Sequence, residues 1–282
     1  MPLLPGGSAA RPTVRSQEGP LESRNPVFSN NEGFRRGGYA TFSTPSATEL
    51  QGMYETPSAT PLQTGRMTLD DVVVRTATLF SVLVAAAATM YFVVKPGLAI
   101  VLGSALVGLV LSLVVSFSKT VRPALILAYG VVEGVFAGGI SYWYAEAFGS
   151  QIVPQAVLGT LVAFGTMLAL YKTGVVRNSP KFTRILMIAG ISYLVFGLIN
   201  LAFSVFAGSS VYNIGGLGIL ISAGGVVLAS LFLVLDFDFI EQGIRNGLPQ
   251  QYAWTAAFGL IVTLVWLYLE ILRLLAILQN NR

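Results

Sequence analysis

Long continuous runs of apolar residues follow one another from Thr68 to the end of the chain. There are seven such runs, and each has the roughly 20 residues that a helix needs to cross a bilayer core of about 30 Å. Because the runs are continuous rather than alternating, they predict membrane-spanning helices and not the strands of a barrel. The expected spans are residues 75–94, 97–117, 123–144, 152–171, 183–207, 215–237 and 253–278.

The chain before these runs has a different pattern. Residues 1–66 contain eight of the thirteen prolines, many Gly, Ser and Thr residues, and no apolar run longer than a few residues. Such a segment cannot bury enough apolar surface to offset the entropy lost on ordering it. We therefore predict an all-α polytopic membrane protein, with a disordered cytoplasmic tail over residues 1–66 and a seven-helix transmembrane domain over residues 67–282.

Composition narrows the class of protein further. Hydrophobic residues make up 54% of the chain and charged residues 11%, against about 25% charged residues in soluble domains, so the lipid bilayer is the expected partner. The chain has no Cys and no His, which excludes disulfides, thiolate nucleophiles, His-ligated metals and Ser-His dyads. Rhomboid-like and zinc proteases need His, and the Gly-x-Gly-Asp signature of presenilin-like proteases is absent. We therefore expect neither an enzyme nor a cofactor.

The charges of the loops predict the orientation. With the N-terminus in the cytoplasm, the external loops carry Lys95, opposed by Glu146, and most loop cations lie inside, as the positive-inside rule requires. We expect a cytoplasmic N-terminus and an external C-terminus in a cell membrane such as the bacterial inner membrane. The same rule accounts for the net charge of +4, so no nucleic-acid partner is expected. The internal cations are Lys119, Arg122, Lys172, Arg177, Lys181, Arg184 and Arg245.

Three glycines share one face of the third span. Gly130, Gly134 and Gly138 follow one another at four-residue spacing, which lets a neighbouring helix approach closely. The motif predicts close packing in the bundle or, alternatively, a seam that slides during gating.

Ionisable side chains inside the spans are expensive to bury, which makes them candidate functional residues. Glu133 lies at the midpoint of the third span and has no partner on its own helix. Glu270 and Arg273 lie three residues apart on one face of the last span, where they can form an ion pair. From the rise of about 1.5 Å per residue, we expect these three residues and Asn200 of the fifth span to form one polar layer.

A second polar layer is expected at the cytoplasmic mouth. It contains Asp236 and Asp238, which point to nearly opposite sides of the sixth span, together with Glu241, Arg122 and Arg75. Two interpretations remain open: structural salt bridges between helices, or a pathway for a cation or proton. On the second interpretation, the candidates for the ion pathway and pH sensing are Glu133, Glu270, Arg273, Asp236, Asp238, Arg75 and Asn200, and no metal ligand is assigned.

The C-terminal part of the chain carries a long motif. It comprises residues 235–243 (LDFDFIEQG), 247–249 (GLP) and 257–275 (AFGLIVTLVWLYLEILRLL). Together with RNPVF at 24–28 and PKFTR at 180–184, this motif resembles the Bax inhibitor-1/YccA family, and most closely its actinobacterial-type branch. The resemblance covers most of the chain.

The resemblance implies seven helices with the last one central, and a pH-sensitive calcium leak in some members of the family. Two aspartates described as the pH sensor of the better-known branch correspond by motif to Asp236 and Glu270. The connection between them is about ten residues longer here, so a simple hairpin places Asp236 opposite Leu260, roughly 15 Å from Glu270. We therefore expect Glu133 to be the partner of Glu270, and Arg75 that of Asp236.

Two functions remain open at this stage. The first is a cation leak channel or pH-gated transporter, with calcium or another cation as the expected ligand. The second is a regulator that binds a membrane protease or another membrane assembly, as the resemblance implies for other members of the family, with the intramembrane charges structural. The isolated Glu133 favours permeation, and the long tail favours interaction.

Overall fold

The structure, a computed structural model, describes residues 65–208, 210–213 and 215–280. Within these residues, seven helices are long and apolar enough to cross a membrane, as expected. Apart from Gly65 and Arg66, the predicted tail lies outside the described residues. The helices are α1 (Leu69–Thr89, continued by the π-helical turn Met90–Val94), α2 (Leu98–Phe117), α3 (Pro123–Phe148), α4 (Ile152–Lys172), α5 (Pro180–Ala207), α6 (Gly215–Arg245) and α7 (Tyr252–Asn280).

Short-range signals explain where the first and sixth helices begin and end. Thr68 caps α1, because its hydroxyl accepts from the Asp71 backbone N–H while the Asp71 carboxylate accepts from the backbone of Thr68. α1 therefore begins at Leu69, before Arg75, where hydropathy predicts the start of the first span. α6 continues beyond the expected end of the sixth span, through the polar residues 238–245, and ends at Arg245. Gly247 then turns the chain with a φ of +63°.

The helices are arranged around α7, as the resemblance implies. α7 packs against α1, α3, α4 and α6, whereas α2 packs against α3 and α5 against α6 on the outside of the bundle. We call the end that carries the α2–α3, α4–α5 and α6–α7 connections the inner end, and the opposite end the outer end. The expected orientation places the inner end in the cytoplasm. A central α7 brings its polar residues into contact with four neighbouring helices.

The three glycines of α3 bring that helix close to α1. A Cβ on Gly134 or Gly138 would overlap the backbone carbonyl of Leu83 or Ala87, and a Cβ on Gly130 would lie 2.5 Å from the Leu79 side chain. The close packing predicted from their spacing is therefore confirmed, with α1 as the neighbouring helix.

Candidate functional site

An ion pair lies in the outer half of α7. Arg273 donates from Nη1 to both carboxylate oxygens of Glu270 at 2.9 Å, and the Glu270 side chain is only 4% exposed. The two residues share a helix face, as their three-residue spacing predicts. Because the carboxylate is buried, the guanidinium supplies the charge that makes its burial tolerable.

Two further side chains complete the surroundings of Glu270. Tyr193 of α5 donates its hydroxyl to Oε2 at 2.8 Å, and Trp266 of α7 donates Nε1 to Oε1 at 3.2 Å. A Cβ on Gly225 of α6 would lie 2.7 Å from Glu270 Oε2 and would overlap the Tyr193 hydroxyl. The glycine therefore makes room for a carboxylate whose two oxygens both accept hydrogen bonds.

The connection between α5 and α6 closes this cluster from the outer side. Tyr212 places its ring 4.5 Å from the Arg273 guanidinium carbon, and its hydroxyl accepts from Arg273 Nη1 at 3.3 Å. Asn200 holds this connection in place, because its Oδ1 accepts from the Val211 N–H at 2.9 Å and from the Ser210 hydroxyl at 3.2 Å. Asn200 thus supports the cluster through Tyr212.

Glu133 is not part of this cluster. Its carboxylate faces α2, where a Cβ on Gly108 would lie 3.2 Å from Oε2, and its polar neighbour is Tyr129, one turn earlier on α3. The expectation that Glu133 is the partner of Glu270 is therefore wrong: the glycine face of α3 packs on α1 and turns Glu133 toward α2. A phenol at the i−4 position also gives Glu133 a neighbour on its own helix.

Asp236 lies near the inner end, facing a cavity of roughly 330 Å³ between α2, α3, α6 and α7. Its Oδ1 would lie 3.8 Å from a Cβ on Gly259 of α7, while its Oδ2 is buried and has no hydrogen-bond partner among the described residues. Eleven positions separate Gly259 from Glu270, which is about 16 Å along the helix. The two carboxylates therefore do not meet, as the long connection predicts.

The cavity has a basic rim. Lys119 and Arg122, from the α2–α3 connection, line it together with Thr255 and Tyr252 of α7. A buried carboxylate with a free oxygen thus lies at the side of a space whose opening carries two positive charges.

Arg75 does not pair with Asp236, which corrects the expectation from sequence. Its Nη1 donates to the Gln250 carbonyl at 2.9 Å and lies 3.5 Å from Asp71, and its guanidinium carbon is 5.8 Å from the Trp254 ring centroid. The cause is the α6–α7 connection, which folds against the start of α1 and supplies closer partners. Backbone bonds Met67 N to Leu248 O and Gln250 N to Gly65 O hold that connection in place.

Asp238 points away from Asp236, as predicted. It accepts from Asn178 Nδ2 at 2.6 Å and from Gln242 Nε2. One turn further along α6, Glu241 pairs with Arg245 and accepts from the Tyr171 hydroxyl. These two carboxylates are satisfied on the α4 side of the helix, so the expected inner layer is divided into three separate groups.

Sequence reasoning did not identify Tyr193, Tyr212, Trp266 or Gly225 as neighbours of the ion pair. One signal was present: Trp266 lies four positions before Glu270, on the same helix face. The other three residues reach the pair only through tertiary packing of α5, α6 and the connection between them, which spacing along one helix does not reveal.

These features define a class: a seven-helix membrane protein with a central last helix that carries a buried ion pair. The sequence matches the family described as Bax inhibitor 1 like over residues 25–280. That match covers most of the chain, so the chain belongs to this family. No curated protein matches the sequence.

Proposed function

We propose that the protein is a cation leak pathway in which Asp236 is the inner cation site. The observation that carries the proposal is the free carboxylate oxygen of Asp236 beside a cavity at the inner end. A buried carboxylate that has no counter-charge, and one oxygen of which has no hydrogen-bond partner among the described residues, is costly. A passing cation or a proton would supply the missing positive charge. Calcium and monovalent cations are both candidate ligands, the protein has no catalytic role, and its N-terminus is cytoplasmic.

The Glu270–Arg273 pair serves as a latch in this proposal. The pair joins α7 to α5 and to the connection before α6, and it lies closer to the outer end than Asp236 does. A cation that leaves the cavity toward the outer end would meet a carboxylate already occupied by Arg273, Tyr193 and Trp266. Permeation therefore requires that this cluster opens, which is consistent with a slow leak rather than an open channel.

The leak should respond to pH through Asp236. Protonation removes the negative charge that attracts a cation, so inner-site occupancy should fall as the pH is lowered. The charged or titratable groups that line the same cavity are Lys119, Arg122 and Tyr252. The two basic residues carry positive charge at neutral pH, so Asp236 is the group whose neutralisation changes the attraction for cations.

The test compares two aspartates on one helix. Calcium and potassium flux is measured in proteoliposomes across a pH series for the wild-type protein, for Asp236→Asn and for Asp238→Asn. We expect Asp236→Asn to lower the flux at least about tenfold, since a unit-charge attraction at about 4 Å is worth roughly 4 kcal/mol at an effective dielectric constant of 20. It should also remove the pH response. Asp238→Asn, whose carboxylate is already bonded, should change neither.

The surroundings of Glu270 favour a second function, in which the intramembrane charges are structural. Glu270 has its hydrogen bonds satisfied within the protein, as a structural ion pair would. If the wild-type protein conducts no cations, or if both aspartate variants conduct like the wild type, the intramembrane charges are structural. The protein would then be a regulator that binds a membrane protease or another membrane assembly.

A further inference from the structure

A second, larger space opens on the other side of the bundle. It is a groove of roughly 1740 Å³ between α1 and α4, with α7 as its floor. Its walls are apolar, and several wall residues are exposed, among them Val73 at 57%, Phe80 at 42% and Leu161 at 52%. The groove extends along α1 from Leu69 to Phe92, which is about 35 Å at 1.5 Å per residue. It therefore traverses both leaflets of a bilayer core of about 30 Å.

The inner end of the groove is polar and carries excess positive charge. Lys172, Arg177 and Arg245 line it together with the carboxylates of Asp238 and Glu241. Arg245 is paired with Glu241, and Asp238 accepts from two amides. Among the described residues, Lys172 and Arg177 form no salt bridge. Two exposed cations thus lie where an apolar groove meets the membrane surface.

We propose that this groove binds an anionic phospholipid of the inner leaflet. The acyl chains lie between α1 and α4, and the phosphate lies against Lys172 and Arg177. Basic pockets between membrane helices on the cytoplasmic side are suited to anionic headgroups. The inner half of the groove wall, from Leu69 to Phe80, is about 16 Å long, which matches one leaflet. This inference is independent of cation conduction.

Two other occupants fit the groove less well. A helix of a partner protein would carry its own Lys and Arg residues at the cytoplasmic end by the positive-inside rule, and these would face Lys172 and Arg177 with like charge. The chain's own residues 1–64 are rich in Pro, Gly, Ser and Thr and have no long apolar run, so they do not match apolar walls. An anionic lipid supplies both the opposite charge and the apolar chains.

The first experiment measures lipid binding to the full chain by native mass spectrometry. Phosphatidylglycerol is compared with phosphatidylcholine of the same acyl chains, and we expect the anionic lipid to bind at least fivefold more tightly. The double variant Lys172→Gln/Arg177→Gln should weaken phosphatidylglycerol binding by about fivefold for each charge removed. Binding of phosphatidylcholine should be unchanged.

The matched control removes two cations from the start of α5, which do not line the groove. Lys181→Gln/Arg184→Gln alters net charge equally and should retain the preference for phosphatidylglycerol. Equal loss in the two double variants would mean attraction by diffuse surface charge and would overturn the proposal. Equal binding of the two lipids by the wild type would also overturn it.

A second pair of variants tests the acyl-chain part of the site. Ala77 is exposed and lines the groove, whereas Ala202 of α5 is exposed and does not. Ala77→Trp should weaken phosphatidylglycerol binding several-fold, and Ala202→Trp should leave it unchanged. The proposal fails if both variants bind like the wild type, or if a photoreactive group at position 77 cross-links a polypeptide instead of lipid in membranes.

Discussion

Glu270 accepts hydrogen bonds from Arg273, Tyr193 and Trp266, whereas Asp236, on the neighbouring helix, leaves a buried oxygen without a partner in the described structure. The two carboxylates lie on α6 and α7, which form one helical hairpin within the membrane domain. One has a counter-charge in place, and the other faces a cavity. The difference indicates different roles: a satisfied carboxylate stabilises a single conformation, and an unsatisfied one is available to a ligand.

The largest expected effect concerns the counter-charge of Glu270. Arg273→Gln leaves a buried carboxylate without its cation and should lower the free energy of unfolding by about 3–5 kcal/mol. Unfolding is measured by titration with a denaturing detergent in mixed micelles. The matched control is Arg245→Gln, which breaks a pair whose side chains are 71% and 44% exposed and should cost less than about 1 kcal/mol.

The double variant Glu270→Gln/Arg273→Gln tests whether Arg273→Gln is destabilising because it leaves Glu270 without a counter-charge or because the arginine side chain itself is lost. It removes the uncompensated charge, so it should recover part of the stability that Arg273→Gln loses. A double variant as unstable as the sum of the two single variants would contradict the view that these charges depend on each other.

A smaller effect is expected at two adjacent glycines of α6. A Cβ on Gly225 would overlap the Tyr193 hydroxyl and lie 2.7 Å from Glu270 Oε2, whereas a Cβ on Gly224 has nothing within 4 Å. Gly225→Ala should be less stable than Gly224→Ala by about 2 kcal/mol, through overpacking and displacement of the tyrosine. Because both variants replace a helical glycine, the comparison cancels helix propensity. Equal melting temperatures of the two purified variants would show that the cluster tolerates a methyl group there.

Sequence alone predicted the features of the molecule that depend on one helix at a time. Continuous apolar runs gave seven spans, the spacing of Glu270 and Arg273 gave an ion pair, and the long connection after Asp236 gave the separation of the two carboxylates. Each of these follows from rise per residue and from which residues share a helix face.

The features that were missed depend on how helices rotate against each other. Glu133 was expected beside Glu270, but close contact of the glycine face with α1 directs it toward Gly108. Arg75 was expected beside Asp236, but the α6–α7 connection folds over the start of α1 and offers the Gln250 carbonyl instead. Hydropathy and residue spacing predict how deep a residue lies in the membrane. They do not predict how its helix is rotated against the neighbouring helices.

The smallest effect on stability is expected at the unsatisfied carboxylate. Asp236→Asn replaces a carboxylate that lacks a counter-charge by an amide of similar shape, so little stabilisation is lost and a desolvation cost is removed. We expect the free energy of unfolding, measured in mixed micelles, to change by less than about 1 kcal/mol, although cation flux should fall in the same variant. A loss of more than about 3 kcal/mol would show that Asp236 has a stabilising partner, such as a bound cation or Lys119 or Arg122 from the rim of the cavity. Removing divalent cations with a chelator separates a bound calcium ion from these two residues, because it should destabilise the wild type to the level of the variant only if a bound divalent cation is the partner.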